Sequence, residues 1–187
     1  MDISRLKKNS EKALLKLKDE ILNSQLSNKV DQIDFSKIDF YSDEKPFLTQ
    51  RLQEQIKLEH DSVIYCISVD SLNHSEIINS EFKRAKDSKQ NNRSFSKHNQ
   101  VDSKCLYVGS SRAKTFVKRL REHLGYGSKS TYALHINQWL PSNIKISIEF
   151  FSINGKASIS GYSALEFLEQ ALWMQEQPMF GKRSGLL

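Results

Sequence analysis

The chain has 187 residues, 38% of them hydrophobic and 27% charged, with a formal net charge of +6. That size and balance suit one sizeable core with an appendage, and no apolar run approaches the roughly 20 residues of a membrane span. The opening MDISRLKKNSEKALLKLK lacks the uninterrupted apolar stretch of a secretory signal, and Cys66 and Cys105 offer neither a disulfide framework nor a C-x-x-C metal spacing, so a reducing cytoplasm is the expected location.

In chain order, residues 3–22 place Ile3, Leu6, Ala13, Leu14, Leu17, Ile21 and Leu22 at helical spacing among lysines. This narrow basic stripe leaves three roles open: packing on the core, pairing with a protein partner, or lying along a nucleic acid backbone. Asn23–Asn28 is a polar break, and Val30–Tyr41 is a short strand-like or irregular piece. Pro46 then opens a helix carrying Leu48, Leu52 and Ile56 to about Glu59. Residues 1–60 are thus expected to form a helical extension ahead of a domain spanning 61–187. Ser62–Val69, β-branched and aromatic, reads as a buried strand holding one of the two thiols. Ile77, Ile78 and Phe82 mark a helix near Ser75–Lys86, and the SKQNNRSFSKHNQVDSK that follows is almost wholly polar. The tract from 70 to 104 is therefore expected to be a flexible, basic surface insertion.

The stretch from Lys104 to Gly125 organises the rest. It predicts a strand at Cys105–Val108, a turn at Gly109–Ser111, and a helix that closes at Gly125. Phe116, Val117, Leu120 and Leu124 give that helix one apolar face, and Ser110 or Ser111 is a candidate cap. Arg119 and His123, four residues apart, are expected side by side on the border of the face, with Arg112 on nearly the same line two turns earlier. Between Lys104 and Ile136 there are seven Lys or Arg residues and one acidic residue, so this window carries the whole chain's excess of positive charge. A basic block on an otherwise balanced protein is the footprint expected for nucleic acid.

Thr131–Leu140 reads as a further helix stopped by Pro141. Ile144, Ile146, Ile148 and Phe150 alternate with polar residues as a half-buried strand ending in the Asn154-Gly155 turn signal. Ser163-Ala164-Leu165-Glu166 is a capping box opening a last helix to Gln177, with Leu165, Leu168, Ala171 and Leu172 as its apolar face. Glu169 lies about 40° round from Leu165. A carboxylate at that margin suits either a salt bridge or a metal ion.

Val63-Ile64-Tyr65, Tyr107-Val108-Gly109, Arg119-x-x-x-His123 and Glu169 nine residues before Pro178, in that order, resemble the signature of the GIY-YIG nuclease superfamily. The resemblance covers about Asp61 to Gly181. The sequence departs from the pattern at Val63, where the family has Gly, at the long insertion in place of a short hairpin, and at Gly181, where an asparagine often stands. The resemblance implies a small α/β (α+β) domain with a three-stranded, mostly antiparallel sheet flanked by helices. It also implies a metal-dependent DNA endonuclease of the restriction, repair or mobile-element kind.

In that reading Glu169 would hold one Mg²⁺ or Mn²⁺, since a single carboxylate suits a hard, largely hydrated cation better than zinc. Tyr65 would be the general base, or relay a proton toward one, its phenol, near pKa 10 when free, lowered by Arg119 or the metal. Arg119 would bind the scissile phosphate, while His123 and Tyr107 would orient water and Tyr65, and His123 could itself accept a proton near neutral pH. Gly109, Ser110, Arg112, Lys114 and Lys118 are the expected phosphate and DNA contacts. Two other readings stand beside it: an inert nucleic-acid-binding module of the same fold, and a protein-interaction module recruiting a partner through the N-terminal helix. A homodimer is left open.

Overall fold

A computed structural model of the chain describes residues 3–23, 25–26, 33–34, 62–154 and 164–183. The expected helix after Pro46, most of Val30–Tyr41, Gly155, and Ser163 of the capping box lie outside them. The protein is mixed α/β. Three long strands, β3 (Ser62–Val69), β4 (Cys105–Arg112) and β5 (Ile146–Asn154), form an antiparallel sheet with β3 in the middle. Two-residue strands β1 (Gln25–Leu26) and β2 (Ile33–Asp34) extend it by pairing with the outer edge of β5. Four α-helices are described: α1 (Ile3–Asn23), α2 (Ser75–Asp87), α3 (Ala113–Leu124) and α4 (Ala164–Glu176).

The sheet buries both faces. Val63, Tyr65, Ile67 and Val69 alternate toward the main core, where Phe116, Leu120 and Leu124 of α3 meet them. Cys66, Cys105 and Val108 face the opposite way, onto Leu172 and Trp173 of α4. This explains why Val63–Ile67 of β3 is a continuous run of buried residues instead of an alternation, as expected for a strand covered on two sides. Gly125 ends α3 at φ 97°, the left-handed position that only glycine takes without strain.

Several expectations change. There is no turn at Gly109–Ser111, because β4 continues to Arg112 in register with β3, Ser62 opposite Arg112. The α3 N-cap is accordingly Arg112, extended at φ −67° and ψ 143°, and no serine side chain caps the helix. Thr131–Leu140 is not an α-helix. His135 sits at φ 51° and only Ile136–Gln138 form a single 3-10 turn, because the main chain here bonds outward: Ala133 bridges Phe95, and the Thr131 carbonyl accepts from the His135 ring. On α4 Ala164 and Gln170 are buried and Ala171 is exposed, while Leu172 of the expected face packs on the sheet together with Trp173. On α1, Ala13, Leu17 and Ile21 are half-buried, whereas Leu14 and Leu22 of the expected stripe are exposed.

The polar tract after α2 is packed. Phe95 and Ser96 are buried, and Phe95 lies edge-on to Phe82, which stacks on Phe180 at 3.9 Å between ring centroids. Its backbone is tied on both sides: Ser94 N–H donates to Lys129, Ser96 N–H to Ala133, and Asn99 N–H to Met179. One phenylalanine and a ladder of main-chain bonds hold a segment whose composition alone reads as a surface loop. Among the described residues no helix is long and apolar enough to cross a membrane.

Candidate active site

β3 and β4 bring the two tyrosines together. Tyr65 pairs with Gly109 across the ladder, and Tyr107 lies on the same face two residues earlier. A Cβ on Gly109 would stand 2.7 Å from Cε1 of Tyr107 and 2.8 Å from Oη of Tyr65, so the missing side chain is what lets both rings lie against the strand. On the other side of Tyr107, Gly181 at φ 105° leaves the same kind of room, 2.9 Å from Cε2. Sequence reasoning noted Gly181 only as a departure from a motif; a glycine that must be left-handed and seat an aromatic ring is the signal it missed.

His123 is not at a helix border but fully buried, 5.9 Å from the Tyr65 ring and 4.2 Å from the Tyr107 ring. Its Nε2 lies 3.1 Å from Tyr65 Oη, and the Leu134 N–H approaches Nδ1 at 3.4 Å. An N–H donating to Nδ1 assigns the remaining ring proton to Nε2, which therefore donates to Tyr65. Burial, then Arg119 and His135, push the His123 pKa well below its usual value, so the ring is neutral near pH 7.

Arg119 is half-buried and held three ways. Nη1 donates to Glu122 Oε2 at 2.9 Å, and Nη2 donates to the Tyr132 carbonyl at 2.9 Å and to Tyr107 Oη at 3.4 Å. Burial alone would lower its pKa, but Tyr65, Tyr107 and the hydrogen bond to Glu122 outweigh it, and the guanidinium stays charged. Glu122, itself buried, is the ion-pair partner that fixes this arginine.

Tyr65 departs from expectation. Its phenol is pushed well above the ordinary value, first by burial and then by Tyr107, and the lowering by Arg119 does not compensate. At neutral pH it is therefore a hydroxyl and not a phenolate.

Glu169 is half-buried on α4 and accepts a hydrogen bond of 2.5 Å from Ser110 Oγ. Burial raises its pKa; the Ser110 bond and the Arg119 charge work in the opposite direction, and Glu166 adds to the rise. Because Glu169 in turn raises Tyr65, the carboxylate, the guanidinium and the phenol share one electrostatic neighbourhood. Ser110 thus has a defined task, positioning a carboxylate across the gap between β4 and α4. Arg112, Lys114 and Lys118 are exposed around the first two turns of α3.

A carboxylate raised by burial and partnered by one hydroxyl is a set of hard oxygen donors, which fits a Mg²⁺-like ion that keeps several waters. Among the described residues no group of three or more His, Cys, Asp or Glu could hold a metal of any kind, so an ion here would rest on Glu169 and its own waters, a habit of Mg²⁺ more than of zinc. Comparison of the chain with protein-family models, curated proteins and solved structures returns no match.

Proposed function

We propose that the protein is a metal-dependent phosphodiester hydrolase acting on DNA, a GIY-YIG-type endonuclease of the restriction, repair or mobile-element kind. The observation that carries the reading is the convergence of Tyr65, Tyr107, Arg119 and His123, from three elements, into one hydrogen-bonded cluster within the field of Glu169. Arg119 would bind the scissile phosphate through its fork, the weak 3.4 Å bond to Tyr107 being the one a phosphoryl oxygen replaces. Glu169 and Ser110 would hold the Mg²⁺ or Mn²⁺, which supplies positive charge beside the phosphoryl and leaving oxygens when bound. Tyr65, as phenolate, would take a proton from the attacking water. His123 Nε2–H and Arg119 favour the phenolate; burial opposes it, so the phenol would release its proton to solvent water only when further positive charge is bound beside it. Gly109 lets the phosphate approach the main chain. Arg112, Lys114 and Lys118 would contact flanking phosphates.

The raised Tyr65 and the engagement of Arg119 by Glu122 also favour a second reading, an inert nucleic-acid-binding module on the same scaffold. Cleavage of supercoiled plasmid and labelled oligonucleotides with Mg²⁺ or Mn²⁺ separates the two. The nuclease reading requires cutting that Glu169→Ala, Arg119→Ala and Tyr65→Phe each abolish. Salt-sensitive binding without cutting supports the inert module, and binding indifferent to salt counts against both. One site cuts one strand, so a double-strand break would need two copies or two successive events. Two free thiols suit a reducing cytoplasm.

A further inference from the structure

Tyr132 has no part in the chemistry above, yet its side chain is 70% exposed, more than Leu72, Ile77 or Met174. A lone exposed aromatic residue is ordinary on a protein surface. What distinguishes this one is how its main chain is held. The Tyr132 carbonyl accepts from Arg119 Nη2 at 2.9 Å. The next residue, Ala133, is fully buried and bridges Phe95, with Ser96 N–H on its carbonyl at 3.0 Å. One residue further, Leu134 N–H meets the His123 ring, and the Leu134 carbonyl accepts from Trp139 Nε1. A solvent-facing ring is therefore fixed on a rigid stretch of chain, directly bonded to the guanidinium assigned to the phosphate. Lys129, three residues earlier, is exposed, and its own carbonyl is tied to Ser94.

We propose that Tyr132 is a stacking platform for an unpaired nucleobase next to the phosphate bound by Arg119. The proposal rests on the nucleic-acid reading above. A nucleotide offers a flat base and an anionic phosphate a short distance apart, and the protein offers an exposed ring on the same residue whose carbonyl holds the cation. Stacking needs an uncovered base face, so the ligand is single-stranded or frayed nucleic acid and not an intact duplex. Selectivity among bases is weak, because every base has a π-face.

The test is fluorescence anisotropy of a fluorescein-labelled single-stranded oligonucleotide in EDTA, with wild type, Tyr132→Ala and Tyr132→Phe. A second oligonucleotide carries tetrahydrofuran abasic residues in place of its bases. Tyr132→Ala should weaken binding of the normal oligonucleotide by about 5- to 100-fold, and Tyr132→Phe should keep it. On the abasic oligonucleotide wild type and Tyr132→Ala should bind alike, since the ring has nothing to stack on. Equal binding of wild type and Tyr132→Ala to the normal oligonucleotide overturns the platform while leaving the nucleic-acid reading intact. An equal loss on both oligonucleotides overturns it too, because the ring would then act through structure or backbone contact. Failure of wild type to bind either one overturns the platform alone, since the nuclease reading stands or falls on metal-dependent cleavage of the plasmid.

Discussion

Replacing Gly109 with alanine tests the packing on which the site depends. Its φ is not positive, so the cost is steric and not a matter of backbone strain. The new methyl would meet Tyr107 Cε1 at 2.7 Å, Tyr65 Oη at 2.8 Å and Tyr65 Cζ at 2.9 Å, about 0.5 to 0.7 Å short of ordinary contact at 3.4 Å. Neither ring has room to retreat. Tyr65 is fully buried against Phe116, with ring centroids 5.2 Å apart, and Tyr107 is stopped by Gly181 on its far side. Overpacking of this kind costs about 1–3 kcal/mol. For a chain of this length each kcal/mol lowers Tm by about 2–4 °C, so thermal unfolding followed by circular dichroism should shift down by roughly 2–12 °C. The displaced Tyr65 hydroxyl would also lengthen its bond to His123. On the proposed nuclease function, cleavage should therefore fall by more than the loss of folded protein explains, measured well below the lowered Tm. A Gly109→Ala protein that melts within about 1 °C of wild type would refute the description of both rings as seated on this strand.

Three further outcomes are expected. The folded protein keeps His123 neutral below pH 6.5 whereas the unfolded chain protonates, so stability is complete above about pH 6.5 and falls as the pH is lowered toward the depressed folded value. His98 and His135, also lowered by burial, act in the same direction, so His123→Gln should reduce, not remove, the drop in urea midpoint between pH 7.5 and 5.5; an undiminished drop contradicts the assignment. Ser110→Ala removes the hydrogen bond that counters the burial of Glu169, and on the proposed nuclease function the Mg²⁺ needed for half-maximal cleavage should rise about tenfold, the equivalent of about 1.4 kcal/mol; an unchanged requirement would mean that Ser110 does not position the carboxylate. The hydrogen bond to Cys66, then burial, push the Cys105 thiol up, so neither cysteine should react with Ellman's reagent at pH 8 until guanidinium unfolds the chain. Prompt reaction in the native protein would contradict their burial.

Hydrophobic periodicity carried the three long strands and the helices at 3–23, 75–87, 113–124 and 164–176, most firmly at 75–87 and 113–124, where Ile78, Phe82, Phe116, Leu120 and Leu124 are fully buried. It failed where main-chain bonding, not side-chain pattern, decides structure. Thr131–Leu140 has helical spacing, but its peptide groups serve Phe95, Arg119 and His123 instead of one another. The tract from Ser94 to Asn99 is polar in composition and yet bonded to residues 129, 133 and 179, contacts no local window contains. At the site, the residue types and their order were legible, and the geometry was not. Periodicity put His123 on a margin because it counts turns of one helix and knows nothing of the two tyrosines that close over the ring. It likewise gave Ser110 to a cap or a phosphate, since the Glu169 it bonds lies 59 residues away. The direction of the Tyr65 pKa depends on burial from every side, which a sequence motif does not report.

The segment after α4 does more than follow the helix. Met179 N–H and Phe180 N–H donate to the carbonyls of Cys105 and Leu106, the outer edge of β4, while Gly181 N–H donates to Lys97. During vectorial synthesis, therefore, both tyrosines, Arg119 and His123 leave the ribosome some forty or more residues before Glu169 and the seat for Tyr107 at Gly181. A nascent chain can assemble the sheet and α3 and still lack the carboxylate and the clasp that joins β4 to the packed tract. Any activity of the cluster is thus withheld until the domain's last described residues have docked, which ties its appearance to completed folding and not to the emergence of the motif.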